Sequence, residues 1–166
     1  MGRRIMVTGC SGAGKSTLAR HIGAALDLPV THLDRLYWRP GWVEAPPEEF
    51  RAAVAEAAST DSWVIDGNYS KTFDLRLPFA DTVVLLDASR YTCLYRVVRR
   101  QLREWGQETQ APGCVSKIDA ELVQWIWKWP TRRPLMLRRI ATEAPTSRQV
   151  LLRSPREVSA FLQSLR

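Results

Sequence analysis

The chain has 166 residues, 45% of them hydrophobic and 25% charged, with a net charge of +7. That length gives one domain, 1–166, with a substantial core; no run approaches the length of a membrane span, and no secretory leader is expected at the N-terminus. The three cysteines, Cys10, Cys93 and Cys114, are too scattered for a disulfide framework or a zinc site, so a reducing, cytoplasmic setting is expected.

Arg3-Arg4-Ile5-Met6-Val7-Thr8 predicts a buried strand, and Thr17 to Leu26 predicts a helix. Between them runs Gly9-Cys10-Ser11-Gly12-Ala13-Gly14-Lys15-Ser16, a full G-x-x-x-x-G-K-S stretch in the strand–loop–helix context that the motif needs. Glycines let the backbone turn tightly and approach phosphate oxygens. Successive N–H groups form an anion nest, and the helix adds its positive dipole end. On this reading Gly9, Cys10, Ser11, Gly12, Ala13, Gly14, Lys15, Ser16 and Thr17 line a nucleoside triphosphate site. Lys15 reaches the β- and γ-phosphates, and Ser16 supplies a hydroxyl to Mg²⁺. Thr17 is a helix residue near the phosphates rather than a metal ligand. Cys10 is expected to be inert filler within the loop.

Pro29-Val30-Thr31-His32-Leu33-Asp34 gives a short second strand ending in an acid, and a polar-aromatic loop follows from Arg35 to Trp42. Pro46-Pro47-Glu48-Glu49 opens an alanine-rich helix running to about Ser59, with prolines and acids at its start. Trp63-Val64-Ile65-Asp66 is a third strand, again ending in an acid, and Gly67-Asn68-Tyr69-Ser70 follows it. Thr82 to Asp87 is the clearest buried strand. A basic helix runs from about Ser89 to Trp105. Gln107 to Gly113 is expected to be a mobile loop with Pro112-Gly113 as its breaker. A short lid is expected at about 103–118. Ser116-Lys117-Ile118-Asp119 resembles a capping box opening another helix. That helix meets Pro130 and Pro134, where a kink or a break is expected. Gln149-Val150-Leu151-Leu152 is a fifth strand, and Pro155-Arg156-Glu157-Val158 starts a terminal helix.

Alternating strands and helices predict a three-layer α/β domain with a five-stranded, mostly parallel sheet. Ligands bind beyond the carboxyl ends of the strands in such sheets. Asp34, Asp66 and Asp87 are therefore expected on the same edge as the phosphate loop.

These residues resemble the nucleoside monophosphate kinase group, which includes adenylate, shikimate and gluconate kinases, over nearly the whole chain. Val64-Ile65-Asp66-Gly67-Asn68-Tyr69 resembles the strand-Asp-Gly-aromatic segment of adenylate kinases. Asp87 followed by Arg96 and Arg100 resembles the strand and arginine helix that lead into their lid. Leu33-Asp34 with Trp38 and Trp42, Asp66-Gly67-Asn68-Tyr69, and Trp127-Trp129-Pro130 to Arg133-Pro134 look like a bacterial family of DNA topology modulation proteins or adenylate kinase-related kinases. The resemblance implies a P-loop kinase fold using ATP and Mg²⁺ to phosphorylate a small acceptor, with nucleoside monophosphates among the candidates. Two features depart from adenylate kinases. Ser70-Lys71 stands where they carry Pro-Arg, and the short lid has no four-cysteine zinc site.

The resemblance implies that Asp66 orders Mg²⁺ through water, in the place of a Walker B acid. The alternative is a turn aspartate capping the Gly67 bend. Asp34 is the candidate to hold or deprotonate an acceptor hydroxyl as a general base, against a helix cap or a salt bridge to Arg35. Asp87 is ambiguous, with capping of the following helix as one role open to it, and is left outside the catalytic set. Arg96, Arg99, Arg100 and Arg103 crowd one stretch, and Arg96, Arg100 and Arg103 share a helical face. Such runs are usually solvated. This one leads into the lid, and phosphoryl transfer needs arginines at the moving phosphate, so Arg96 and Arg100 are assigned to catalysis. Arg132 and Arg133 are candidates to close on the phosphates from the far side. Trp38, Trp42 and Tyr69 are expected near Asp34 and Asp66, as a stacking wall for a flat acceptor or as core. Arg153-Ser154-Pro155 follows the last strand, where related kinases cradle adenine, and no N-K-x-D guanine aspartate is present, which favours ATP over GTP.

Of the 24 basic residues 20 are arginine, which forks onto phosphate and carboxylate. The charge admits a second reading, a nucleic-acid-binding module, with Arg138, Arg139, Arg148 and Arg153 as a separate patch. No helix-turn-helix, zinc finger or basic arm supports it. A nucleotide-dependent switch is a third reading. The acceptor, and whether the chain is a monomer or a homodimer, are left open at this level.

Overall fold

The computed structural model describes residues 2–109, 111–117 and 120–165. Among these residues the strands are β1 (Arg4–Gly9), β2 (Val30–His32), β3 (Trp38–Arg39), β4 (Val43–Glu44), β5 (Trp63–Asp66), β6 (Thr82–Leu86) and β7 (Arg148–Leu152). Five of them form one sheet in the order β2-β5-β1-β6-β7, and every neighbouring pair is parallel. Strands β3 and β4 form a separate antiparallel hairpin. Ile5, Met6 and Val7 are all fully buried. Successive strand residues point to opposite faces, so both faces of β1 are covered and the domain has three layers.

The helices are α1 (Lys15–Leu26), α2 (Leu33–Tyr37), α3 (Pro47–Ala58), α4 (Arg90–Arg103), α5 (Ala120–Trp127), α6 (Trp129–Glu143) and α7 (Pro155–Gln163). Strand order reverses about β1, with β2 and β5 on one side and β6 and β7 on the other. A crevice at such a switch point is where ligands bind in open α/β sheets. The phosphate loop leaves β1 at that place.

Three local expectations change. Strand β2 stops at His32, so Asp34 lies in the first turn of α2 rather than at a strand end. Leu33, Leu36 and Tyr37 have helical spacing, and Leu33 is fully buried against the Gly67 turn. The segment expected as a loop from Arg35 to Trp42 is helix end and hairpin, turned through Gly41 (φ 77°) and Trp42 (φ 64°). The chain breaks at Lys128, between α5 and α6, and α6 then runs through Pro134. Pro130 sits in the first turn of α6, where its missing N–H has no intrahelical partner to lose. Ile118 and Asp119 of the expected capping box lie outside the described residues.

Between β5 and β6 two short 3₁₀ turns, Ser70–Leu75 and Leu77–Phe79, wrap a fully buried arginine, Arg76. Its guanidinium donates to the carbonyls of Gly67 (3.1 Å) and Asn68 (2.8 Å) and to the Thr72 hydroxyl (3.2 Å). Its charge also lies 5.2 Å from the centre of the Phe73 ring. Burial pulls its pKa down to about 9, against the attraction of Asp66, so it stays a cation at neutral pH. The backbone carbonyls satisfy that charge, and in return the loop that follows β5 is pinned.

Replacing Arg76 with Met is expected to cost about 3 kcal/mol, because several buried carbonyls lose a charged donor. Urea unfolding measures it. The exposed control Arg138→Met should shift stability by less than about 0.5 kcal/mol. Equal midpoints for the two variants would remove Arg76 from this role.

Candidate functional site

The phosphate loop occupies residues 9–16 between β1 and α1. Gly12 has φ 82°, and a Cβ there would lie 2.4 Å from the Cys93 carbonyl, so glycine lets the loop rest directly on α4. Gly14 has φ 102° and opens α1. The first N–H groups of α1 have no intrahelical acceptor and point out of the helix start. The Lys15 ammonium lies across the loop and donates to the Cys10 carbonyl at 3.0 Å. From α4, Arg96 Nη1 donates to the Ala13 carbonyl at 3.2 Å. Cys10 is fully buried, and its hydrogen bond to the Cys93 thiol, with burial, pushes its own thiol pKa up. It is a neutral packing group.

Asp66 closes the other wall. Parallel register sets it opposite Val7 of β1 and opposite His32 of β2. Its Oδ2 accepts from the Ser16 hydroxyl at 2.8 Å, and its Oδ1 meets His32 Nδ1. The carboxylate is 3% exposed. Asn68 links the two strand ends, because its Oδ1 accepts from the Thr8 hydroxyl (2.8 Å) and the Gly9 N–H (3.1 Å). Ser16 and Asp66 are thus brought together, in keeping with what the family resemblance implies. His32 and Asn68 are new. Their only sequence signal is position, one at the end of the second strand and one two residues after Asp66.

Asp34 is exposed, and its Oδ1 accepts from the Tyr69 hydroxyl at 2.6 Å. No ion pair of Asp34 with Arg35 is seen among the described residues. Tyr69 follows the Gly67 turn with φ 34°, a left-handed value that a tyrosine seldom adopts. Burial and the Asp34 charge push its phenol pKa well up. Its ring lies 4.7 Å from Tyr37 and 5.0 Å from Phe50. Tyr37 also touches Trp38 (4.9 Å), and Trp38 touches Trp42 (5.4 Å). The expected aromatic cluster beside Asp34 is therefore present, with Phe50 as its buried backing.

The lid segment is docked on the β3–β4 hairpin. The Gly41 N–H donates to the Gly113 carbonyl at 2.9 Å, the Trp42 indole N–H to the Val115 carbonyl at 2.8 Å, and the Cys114 thiol to the Arg39 carbonyl at 3.2 Å. Within it, Glu108 and Val115 form an antiparallel bridge.

The arginines divide. Arg96 touches the phosphate loop, whereas Arg100 is exposed one turn further along α4. Arg133 binds Asp87 at 2.7 Å, and Arg132 stacks over Trp125 at 5.3 Å. Arg153 approaches Asp87 at 3.7 Å. Asp87 is an ion-pair anchor for α6 rather than a helix cap. The cap of α4 is Ser89, whose hydroxyl oxygen accepts from the Thr92 N–H at 3.2 Å.

No protein-family model matches the chain, and no curated protein matches its sequence. Solved structures do match in fold. Shikimate kinase from Acinetobacter baumannii in complex with shikimate superimposes with a TM-score of 0.64 at 18% identity, over 99% of this chain and 91% of that one. A gluconokinase from Sinorhizobium meliloti 1021 gives 0.57 at 21% identity, over 99% and 95%. A sugar kinase from a Janibacter species gives 0.56 at 15% identity, over 98% and 94%. The chain has the three-layer fold of these small P-loop kinases, with its five-stranded parallel sheet.

The Tyr69–Asp34 bond has a spectroscopic consequence. Deprotonating Tyr69 would place two negative charges in contact, so its phenol should ionise only at a pH above the ordinary tyrosine range. Absorbance at 295 nm should therefore superimpose for the wild type and Tyr69→Phe below that pH. A deficit in the variant near pH 10 would contradict the geometry.

Proposed function

We propose that the chain is an ATP- and Mg²⁺-dependent phosphotransferase that moves the γ-phosphoryl group onto a hydroxyl of a small acceptor. The observation that carries this reading is the convergence of Lys15, the Ser16–Asp66 pair and Arg96 on one glycine loop. The fold shared with small-molecule kinases supports it.

The residues suit both cofactors. A triphosphate fits the loop, where the helix start and the left-handed glycines turn N–H groups inward. Among the described residues no three His, Cys, Asp or Glu side chains cluster to hold a metal. One hydroxyl and one carboxylate 2.8 Å apart are instead what Mg²⁺ takes when it keeps its waters and shares phosphate oxygens. When bound, the ion neutralises charge on the β- and γ-phosphates.

The chain's own groups do the rest. Ser16 and Asp66 hold the metal side, and His32 fixes the carboxylate from behind. Lys15 lies on the loop as a mobile point charge. Arg96, held at the loop's edge through Ala13, stands ready to meet the charge that develops on the transferring group. Asp34 takes the proton of the acceptor hydroxyl, and Tyr69 orients it. The lid, resting on the hairpin, keeps water from competing with the acceptor. No helix among the described residues is long and apolar enough to cross a membrane, and all three thiols are free, which fits a reducing, cytoplasmic setting.

ADP release under saturating ATP tests the reading. Lys15→Ala and chelation of Mg²⁺ should each abolish turnover. Arg96→Ala should lower it by about 10³, the lower end of what a phosphate-facing arginine contributes. Turnover that survives Lys15→Ala would sink the proposal.

A further inference from the structure

We infer that the acceptor is uncharged: a hydroxyl-bearing ring, either a sugar or a nucleoside, rather than a monophosphate or a sugar acid. The inference rests on the phosphotransferase reading and specifies the substrate class of that same site. Two separate observations lead to it, one about charge and one about the aromatic wall.

An anionic acceptor wants a guanidinium fork, two parallel N–H groups on a phosphate or carboxylate. Among the described residues, the arginines that contact the hairpin, α3 and the loop after β5 have spent theirs. Arg39 pairs with Glu49. Arg51 grips both oxygens of Asp74, at 3.2 and 2.6 Å. Arg139 grips both oxygens of Glu143, at 2.5 and 2.9 Å, and donates again to the Ser70 carbonyl at 2.7 Å. Arg76 is fully buried and saturated by backbone carbonyls. Arg35 is engaged as well. To hold an anion, any of these would first have to abandon an existing partner. Lys71 is exposed, but it is a flexible, strongly hydrated point charge without fork geometry.

The wall offers faces instead. The polar edges of its rings are already used, Tyr69 O–H on Asp34 and Trp42 N–H on the Val115 carbonyl. The remaining ring surface suits the flat side of a sugar or a base. Backbone strain marks the same residues. Among the described residues three non-glycines have left-handed φ, and two of them are Tyr69 and Trp42. Strained conformations persist where the surroundings over-determine them, typically at ligand clamps. Beside that wall stands the Asp34 carboxylate, placed to address a hydroxyl.

The step balances without a further reagent. The acceptor hydroxyl oxygen bonds to the γ-phosphorus while the bond from that phosphorus to the β–γ bridging oxygen breaks. ADP leaves with the electron pair, and the hydroxyl proton passes to the Asp34 carboxylate. The products are ADP and the acceptor's phosphate monoester.

The test is a four-arm panel of ATP-dependent phosphorylation with the full chain and Mg²⁺: monosaccharides, nucleosides, nucleoside monophosphates and sugar acids. ADP release gives the rate, and ³¹P NMR identifies the ester. At least one uncharged arm should exceed acceptor-free hydrolysis by about tenfold or more, and which arm responds identifies the source. Trp42→Ala should raise the KM for that acceptor by about tenfold, the scale of one aromatic contact. A preference for a monophosphate or a sugar acid overturns the inference and leaves the phosphotransferase reading standing. Silence of both uncharged arms while Mg·ATP still binds and is slowly hydrolysed also overturns it. Failure of the phosphotransferase reading looks different: nucleotide turnover absent, or present but indifferent to Lys15→Ala.

Discussion

Val7 and Asp66 lie opposite each other in the parallel β1–β5 ladder, and that register fixes the geometry of the cleft. It sets a buried carboxylate within 2.8 Å of the hydroxyl that opens α1. A one-residue slip would turn Asp66 to the other face of the sheet and put Ile65 or Gly67 in its place. The register is well defended. Both faces of β1 and β5 are buried, and Asn68 clasps Thr8 and Gly9 from across the strand ends. The Ser16–Asp66 pair is therefore positioned by core packing rather than by the loop alone.

The loop that follows β5 makes a different use of charge. Arg76 is a cation buried without a carboxylate in contact, held by the carbonyls of Gly67 and Asn68. Such burial is costly unless every donor is met. What it supplies is a rigid turn, and that turn sets Tyr69 at its unusual φ with the hydroxyl on Asp34. Kinases that carry an arginine just after the aromatic residue can aim it at a substrate. Here the nearby arginine points inward and shapes the loop, and the surface beside Asp34 is aromatic.

The sheet, the phosphate loop and the Ser16–Asp66 pair were legible because each is signalled locally: apolar runs, glycine spacing, acids at strand ends. Leu33-Asp34 was misread because the segment 29–34 is apolar enough for a strand, while the helical spacing that governs it begins at Leu33 and extends to Tyr37. His32 and Asn68 escaped notice because their roles come from strand order, which places β2 beside β5 and β5 beside β1. No local pattern carries that order. Arg76 read as one more basic residue in a basic chain. Arg133 was a candidate for the phosphates from the far side of the lid, and the Asp87 carboxylate just after β6 pairs with it instead.

The hairpin and the lid link the two ends of the proposed reaction. Trp42 belongs to the aromatic cluster near Asp34 and also donates to Val115, while Gly41 and Arg39 bind Gly113 and Cys114. Gly113 presses so closely on Pro40 that a Cβ at that glycine would lie 2.7 Å from the proline side chain. The lid continues from α4, whose Arg96 touches the phosphate loop. One chain segment thus connects the phosphate loop, the roof of the cleft and the ring surface offered to the acceptor. Displacing segment 113–115 would break three contacts to the hairpin at once, so in the proposed reaction lid movement and completion of the acceptor wall would be coupled. Coupling of that kind lets a closing site assemble its catalytic groups only around the correct substrate. Under the proposed reading the acceptor is met by ring faces and the Asp34 carboxylate, with little charge to discriminate by, and this assembly step is where selectivity against water would come from.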